Sequence, residues 1–137
     1  MLESEVDLHA GRLREAAERL AEVPATNFWW RAAFAATRAE ALVRAADPRG
    51  ADAIAEAEAS VGDHCYARAV LLRARGLSEG SEEPLREALA LFREIECPYQ
   101  AARTAWLLGD ADRAGAERDF AALGATPPAV EATLPRV

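Results

Sequence analysis

Apolar side chains return at three- and four-residue intervals along almost the whole chain, and the rhythm breaks only at short clusters of Gly, Pro and Asp. That spacing lines one side of a helix with apolar residues, whereas a half-buried strand would need strict alternation. The breaks predict seven helices. The first runs from about Val6 to Glu22 with Leu13, Ala16, Ala17 and Leu20 inward, and stops at Pro24 because the residue before a proline avoids the α region. The second, about Asn27 to Ala46, carries Phe28, Trp29, Trp30, Phe34, Ala41 and Leu42, and is closed by Asp47-Pro48. The third and fourth span about Arg49 to Val61 and His64 to Leu77. Ser81, as a side-chain cap followed by Glu82 and Glu83, opens the fifth, which runs through Leu85, Leu89 and Phe92 to Ile95. Pro98 separates it from the sixth, with Tyr99, Ala102, Trp106 and Leu107. The seventh covers about Asp112 to Leu123 with Phe120 inward, and residues 127–137 are expected to be a frayed tail.

The chain also resembles itself. Leu13-Arg14-Glu15-Ala16 recurs as Leu85-Arg86-Glu87-Ala88, and the same register lays Leu20 on Phe92. Tyr66 and Tyr99 match 33 residues apart, each followed ten residues later by a glycine, Gly76 and Gly109. Self-similarity at such a period is the mark of a helical-repeat array. A single domain, residues 1–126, is expected, divided into a half repeat over 6–23 and hairpins over 27–61, 64–96 and 98–124.

Ala88 followed by Phe92 and then Pro98 resembles the second helix of a tetratricopeptide repeat. The stretch from Leu85 to Pro127 is similar, more narrowly, to the helical repeats of actinobacterial-type signalling proteins in which a LuxR-type regulator or a class III adenylate cyclase accompanies an ATPase. The phrases Ala88-Leu89-Ala90-Leu91-Phe92, Pro98-Tyr99-Gln100-Ala101-Ala102-Arg103 and Ala122-Leu123-Gly124-Ala125 carry that likeness. The resemblance implies an all-α fold of antiparallel hairpins stacked as a right-handed solenoid. It also implies a non-catalytic interaction or coupling role, whose partner is a protein or peptide segment or another domain of the same polypeptide. In this register the chain begins with a lone second helix, so an excerpt of a longer chain, or self-association at that end, is expected.

Composition sharpens the picture. Of 137 residues 34 are Ala, the best helix former, and all 16 basic residues are Arg. Without Lys, neither a Schiff base nor a P-loop lysine is available. A net charge of −7 argues against a nucleic-acid groove, which needs a basic footprint. Two cysteines are too few for a disulfide framework, and no charged leader with an apolar run opens the chain. A cytoplasmic, non-membrane protein is expected.

Candidate chemistry is sparse. GxxxxGK[ST], GxGxxG, HExxH and GxSxG are all missing from the chain. His9, His64, Cys65 and Cys97 lack the paired spacing that holds zinc, and Asp110-Ala111-Asp112 lacks the glycine and closing Glu of a calcium loop. No cofactor, metal or catalytic residue is nominated. Three consecutive aromatics at Phe28-Trp29-Trp30 cannot all face one core, so at least one is exposed, as a binding anchor or over a small-ligand pocket. An offset of 37 lays Trp29 on Tyr66, Arg31 on Arg68 and Arg38 on Arg75. This nominates those six residues as a groove for an acidic peptide, a carboxylate or an anionic small molecule. The plainer alternative is that these arginines pair with Glu on neighbouring helices.

Overall fold

A computed structural model describes residues 2–22 and 30–128. Among these the chain forms eight α-helices and no strand: α1 (Leu2–His9), α2 (Leu13–Ala21), α3 (Arg31–Arg44), α4 (Gly50–Val61), α5 (Cys65–Glu79), α6 (Glu82–Glu94), α7 (Pro98–Leu107) and α8 (Asp110–Ala122). None of them is long and apolar enough to cross a membrane. The all-α expectation holds.

The count differs by one because the predicted helix over Val6 to Glu22 is broken. Gly11 adopts φ +77°, its N–H donates to Leu8 O (3.2 Å), and the Arg12 N–H donates to Asp7 O (2.8 Å). This pair of bonds closes a helix around a left-handed residue that glycine adopts without strain. The apolar rhythm runs through the break undisturbed, so periodicity alone missed it. Ser81 stands at the start of α6 as predicted, but its side chain makes no capping bond. Its backbone N–H instead donates to Gly76 O (3.0 Å), which commits the residue to closing α5. His64 does cap α5, its Nδ1 accepting from the Ala67 N–H at 3.2 Å.

Consecutive helices joined by short turns pack as hairpins: α3 with α4, α5 with α6, α7 with α8. Further packing of α2 on α3, α3 on α5 and α6 on α7 makes the stack continuous. The core between them is built largely of alanines, with Leu42, Val70, Leu85, Phe92 and Phe120 as its larger members. Small side chains let helix axes approach closely, and one contact admits no side chain at all. A Cβ on Gly76 would lie 2.7 Å from Leu85 Cγ, so α5 and α6 meet there. Gly109, its repeat partner in the sequence, instead sits at φ +109° before α8. The inward faces of α2 and α6 carry the residues that the 72-residue offset aligns. Ala16 and Leu20 of α2 are buried, as are their counterparts Ala88 and Phe92 of α6. At the C-terminal end Pro128 is buried, and most of the tail expected over 127–137, residues 129–137, lies outside those described.

Candidate functional site

The largest fully buried side chains are not apolar. Among the described residues Arg73 and Arg103 are the bulkiest of them, and Glu40 and Thr104 are as deeply enclosed. Burying a charge is costly unless it is paired and hydrogen-bonded, so the pairing accounts for the site. Glu40 of α3 accepts from Arg73 Nη2 of α5 (2.8 Å) through one oxygen and from Arg103 Nη2 of α7 (3.0 Å) through the other. Arg44, one turn along α3, adds a third guanidinium at 3.9 Å. Burial alone would raise the Glu40 pKa, but the charges of Arg73, Arg103 and Arg44 outweigh it and hold the carboxyl down to about 2.

The network extends along α7. Arg73 Nη1 donates to Thr104 Oγ1 (3.1 Å) and Arg103 Nη1 to Gln100 Oε1 (3.2 Å). Gln100 Nε2 in turn donates to the Tyr66 hydroxyl (3.0 Å). The Arg73 guanidinium also lies 5.0 Å over the Phe92 ring, a cation–π contact from α6. Helices α3, α5 and α7 thus place polar side chains on one face, with the Phe92 ring of α6 against Arg73.

Helix α1 lies on that face. Glu5 accepts from the Tyr66 hydroxyl (3.1 Å) and from Arg103 Nη1 (3.4 Å), one turn before fully buried Leu8. Arg44 Nη2 donates to the Leu8 carbonyl (3.1 Å). His9 Nδ1 pairs with the Tyr99 hydroxyl (2.7 Å), and its ring meets Phe120 edge-on at 6.4 Å. The two tyrosines related by 33 residues therefore both grip α1, 61 and 90 residues away along the chain. Burial, and then the adjacent Glu5, push the Tyr66 hydroxyl well above the ordinary tyrosine range, so it stays a donor. Burial, and then Arg103, lower the His9 pKa and favour its neutral form, against a hydrogen bond to the backbone of Thr126.

The sequence-nominated groove residues divide between two faces. Tyr66 belongs to the network above. Arg38 and Arg75 flank α4 instead, Arg38 at 3.9 Å from Glu56 and Arg75 at 3.5 Å from Glu58. Arg68 and Arg75 border an open depression of about 330 Å³ with Glu58 and Glu87. Arg31 borders a larger one, about 920 Å³, with Glu56, Ser60 and His64. Trp29 and Phe28 lie outside the described residues, and Trp30 is half exposed at 52 %. Tyr66 and the arginines thus do not form one groove. At about 100° per residue, Arg68 and Arg75 fall on the side of α5 opposite Tyr66, whereas Arg73, seven residues on, returns to the same side. That spacing, and the offset of 33 that lays Glu40 on Arg73, were the available signals for the buried face.

Cys65 is exposed and Cys97 half-buried, both as free thiols, and burial pushes the Cys97 thiol up. No cluster of three or more metal-ligating side chains occurs among the described residues. Comparison with protein-family models, curated proteins and solved structures finds no match.

Proposed function

We propose that this chain is a non-catalytic interaction or coupling module whose working surface is the polar face of α3, α5 and α7. The carrying observation is that side chains from these three helices converge there and hold a helical segment, α1, by its carboxylate, a backbone carbonyl and its imidazole. Recognition of a helix lying across others is a recurrent use of such surfaces. The finer reading is a tetratricopeptide-like, right-handed solenoid in bacterial signal transduction, coupled to an ATPase-linked transcription regulator or an adenylate cyclase. It rests on the tandem spacing and on the resemblance of Leu85 to Pro127 to such proteins.

The test is to recover the native species carrying this segment with an antibody and cross-link it in place. Because the chain has no Lys, the reagent must join carboxylates. Links from Glu5 or other acidic residues near the face to another protein or domain support the module. A species of 14.7 kDa without cross-linked neighbours overturns it. A small-ligand sensor is the second reading, favoured by the depression of about 920 Å³ beside Arg31, on the helix that follows Trp30. Thermal stabilisation by an anionic metabolite, lost in Arg31→Ala, would support it.

A further inference from the structure

The polar face and the helix covering it differ in how firmly they are held. Beneath α1, Glu40 is bound by Arg73 and Arg103 through contacts that involve α3, α5 and α7 alone. That core would persist without α1. Helix α1 is attached to the face mainly through polar groups: Glu5, the Leu8 carbonyl and His9. Leu8 is fully buried, but Val6 is 53 % exposed. Eight residues are too few to be helical alone in water, and elements with little apolar burial open at low free energy. The turn at Gly11 links α1 to α2, so an undocked α1 stays tethered beside the face. The ion pairs of Asp7 with Arg12 and Arg19 tie α1 to its own neighbourhood rather than to the face.

Charge defines what else the face would accept. Among the described residues of α3, α5 and α7 it carries three cations, Arg44, Arg73 and Arg103, around one anion, Glu40. Glu5 supplies the second anion. Even then, buried Arg73 Nε has no acceptor among the described residues. The surface is donor-rich and suited to carboxylates.

We infer that α1 is a built-in competitor on the partner-binding face, displaced by an acidic amphipathic helix that presents a carboxylate where α1 has Glu5 and an apolar side chain where α1 has Leu8. This rests on the interaction-module reading and adds the chemistry of the partner. Tethering gives α1 an effective concentration of roughly millimolar, so a free helix of the same chemistry binds the intact chain weakly. Release of α1 by a signal or by a tighter helix opens the site.

The test uses the full chain and a fluorescein-labelled peptide of residues 2–10. Fluorescence anisotropy should show weak binding to the wild type. Binding should be at least about ten-fold tighter to Glu5→Arg/Leu8→Asp, in which the resident helix is disabled. A peptide carrying Glu5→Arg should lose that gain. Equal affinity of both chains for the wild-type peptide, with circular dichroism showing both folded, overturns the inference, as does equal binding of the reversed-charge peptide. If the double variant fails to fold, amide exchange of α1 in the wild type decides: excess peptide should raise it, and no change overturns the proposal. A wild-type dimer exchanging α1 between copies would also overturn it, by making a second copy the occupant. These readouts do not depend on the native cross-linking, so the inference fails separately from the module reading.

Discussion

The two sides of α5 carry the same residue type to opposite effect. On one, Arg73 is fully buried, bonded to Glu40 and Thr104 and stacked over Phe92. On the other, Arg75 is half exposed and shares loose contacts with Glu58 at 3.5 Å and Glu79 at 3.7 Å. Once a guanidinium is out of water its partners must stay, because neither ion has solvent to fall back on. Beside water the same pair is screened and contributes little. The first side fixes which helices meet and in what register. The second leaves charge available at the surface.

The largest break of that contrast is Glu40→Ala. It leaves Arg73 and Arg103 buried without their shared carboxylate and should cost about 3–5 kcal/mol, read as loss of melting temperature. The pairing also sets an acid limit. Since the folded Glu40 pKa lies below its ordinary 4.5, the stabilisation is complete above that pH and is lost as the pH falls towards 2. Tyr66→Phe keeps the ring and its edge contact with Phe92 but removes the hydroxyl between Gln100 and Glu5. Leaving those partners unmatched should cost roughly 1–3 kcal/mol by denaturant unfolding. A loss as small as that of Arg68→Ala would show that the two sides of α5 are energetically alike.

This contrast also marks how far the sequence could be read. The hairpins were legible because alanine-rich apolar stripes and Gly or Pro breaks are local signals, and Leu85, Leu89 and Phe92 are inward as the period predicted. The break at Gly11 was not, since both sides of it keep the same stripe. The polar face was missed for a different reason. An offset of 37 collected Arg31, Arg38, Arg68 and Arg75 and passed over Arg73 and Arg103. Arg73 and Arg103 are buried only because Glu40, 33 and 63 residues away, meets them in space. Pairing at that range has no local signature. The tyrosines at a spacing of 33 were visible, but their common target, α1, lay beyond a helix break that periodicity did not show.

A smaller, local effect should sharpen the contrast at α1. His9 faces Tyr99 and Arg103 of α7, Arg44 of α3, Phe120 of α8 and the backbone of Thr126, with Glu5 on its own helix. Its docked pKa lies below the ordinary 6.5. The neutral ring's contribution is therefore complete above 6.5 and is lost as the pH falls below it, because undocked His9 takes up a proton that docked His9 resists. Amide exchange of α1, corrected for its intrinsic pH dependence, should rise between about pH 7.5 and about 5.5 while that of α5 and α7 holds. In His9→Gln the rise should vanish; a rise that persisted would place the sensitivity elsewhere.

The least effect is expected on the opposite side, and it is what gives the comparison its meaning. Arg38→Glu and Arg75→Glu replace attraction to Glu56 and Glu58 with repulsion, yet Glu56 is 75 % exposed and both positions stand beside water. Each change should cost less than about 1 kcal/mol and leave helicity intact. If the arginines flanking α4 belong to the binding surface, the double variant loses binding to an acidic partner while its melting temperature stays within a few degrees. If binding is unchanged in that variant but abolished when Tyr66 or Tyr99 is altered, recognition belongs to the buried side of α5. The exposed arginines would then serve solubility alone, and the side of the helix that fixes the fold would also be the side that reads the partner.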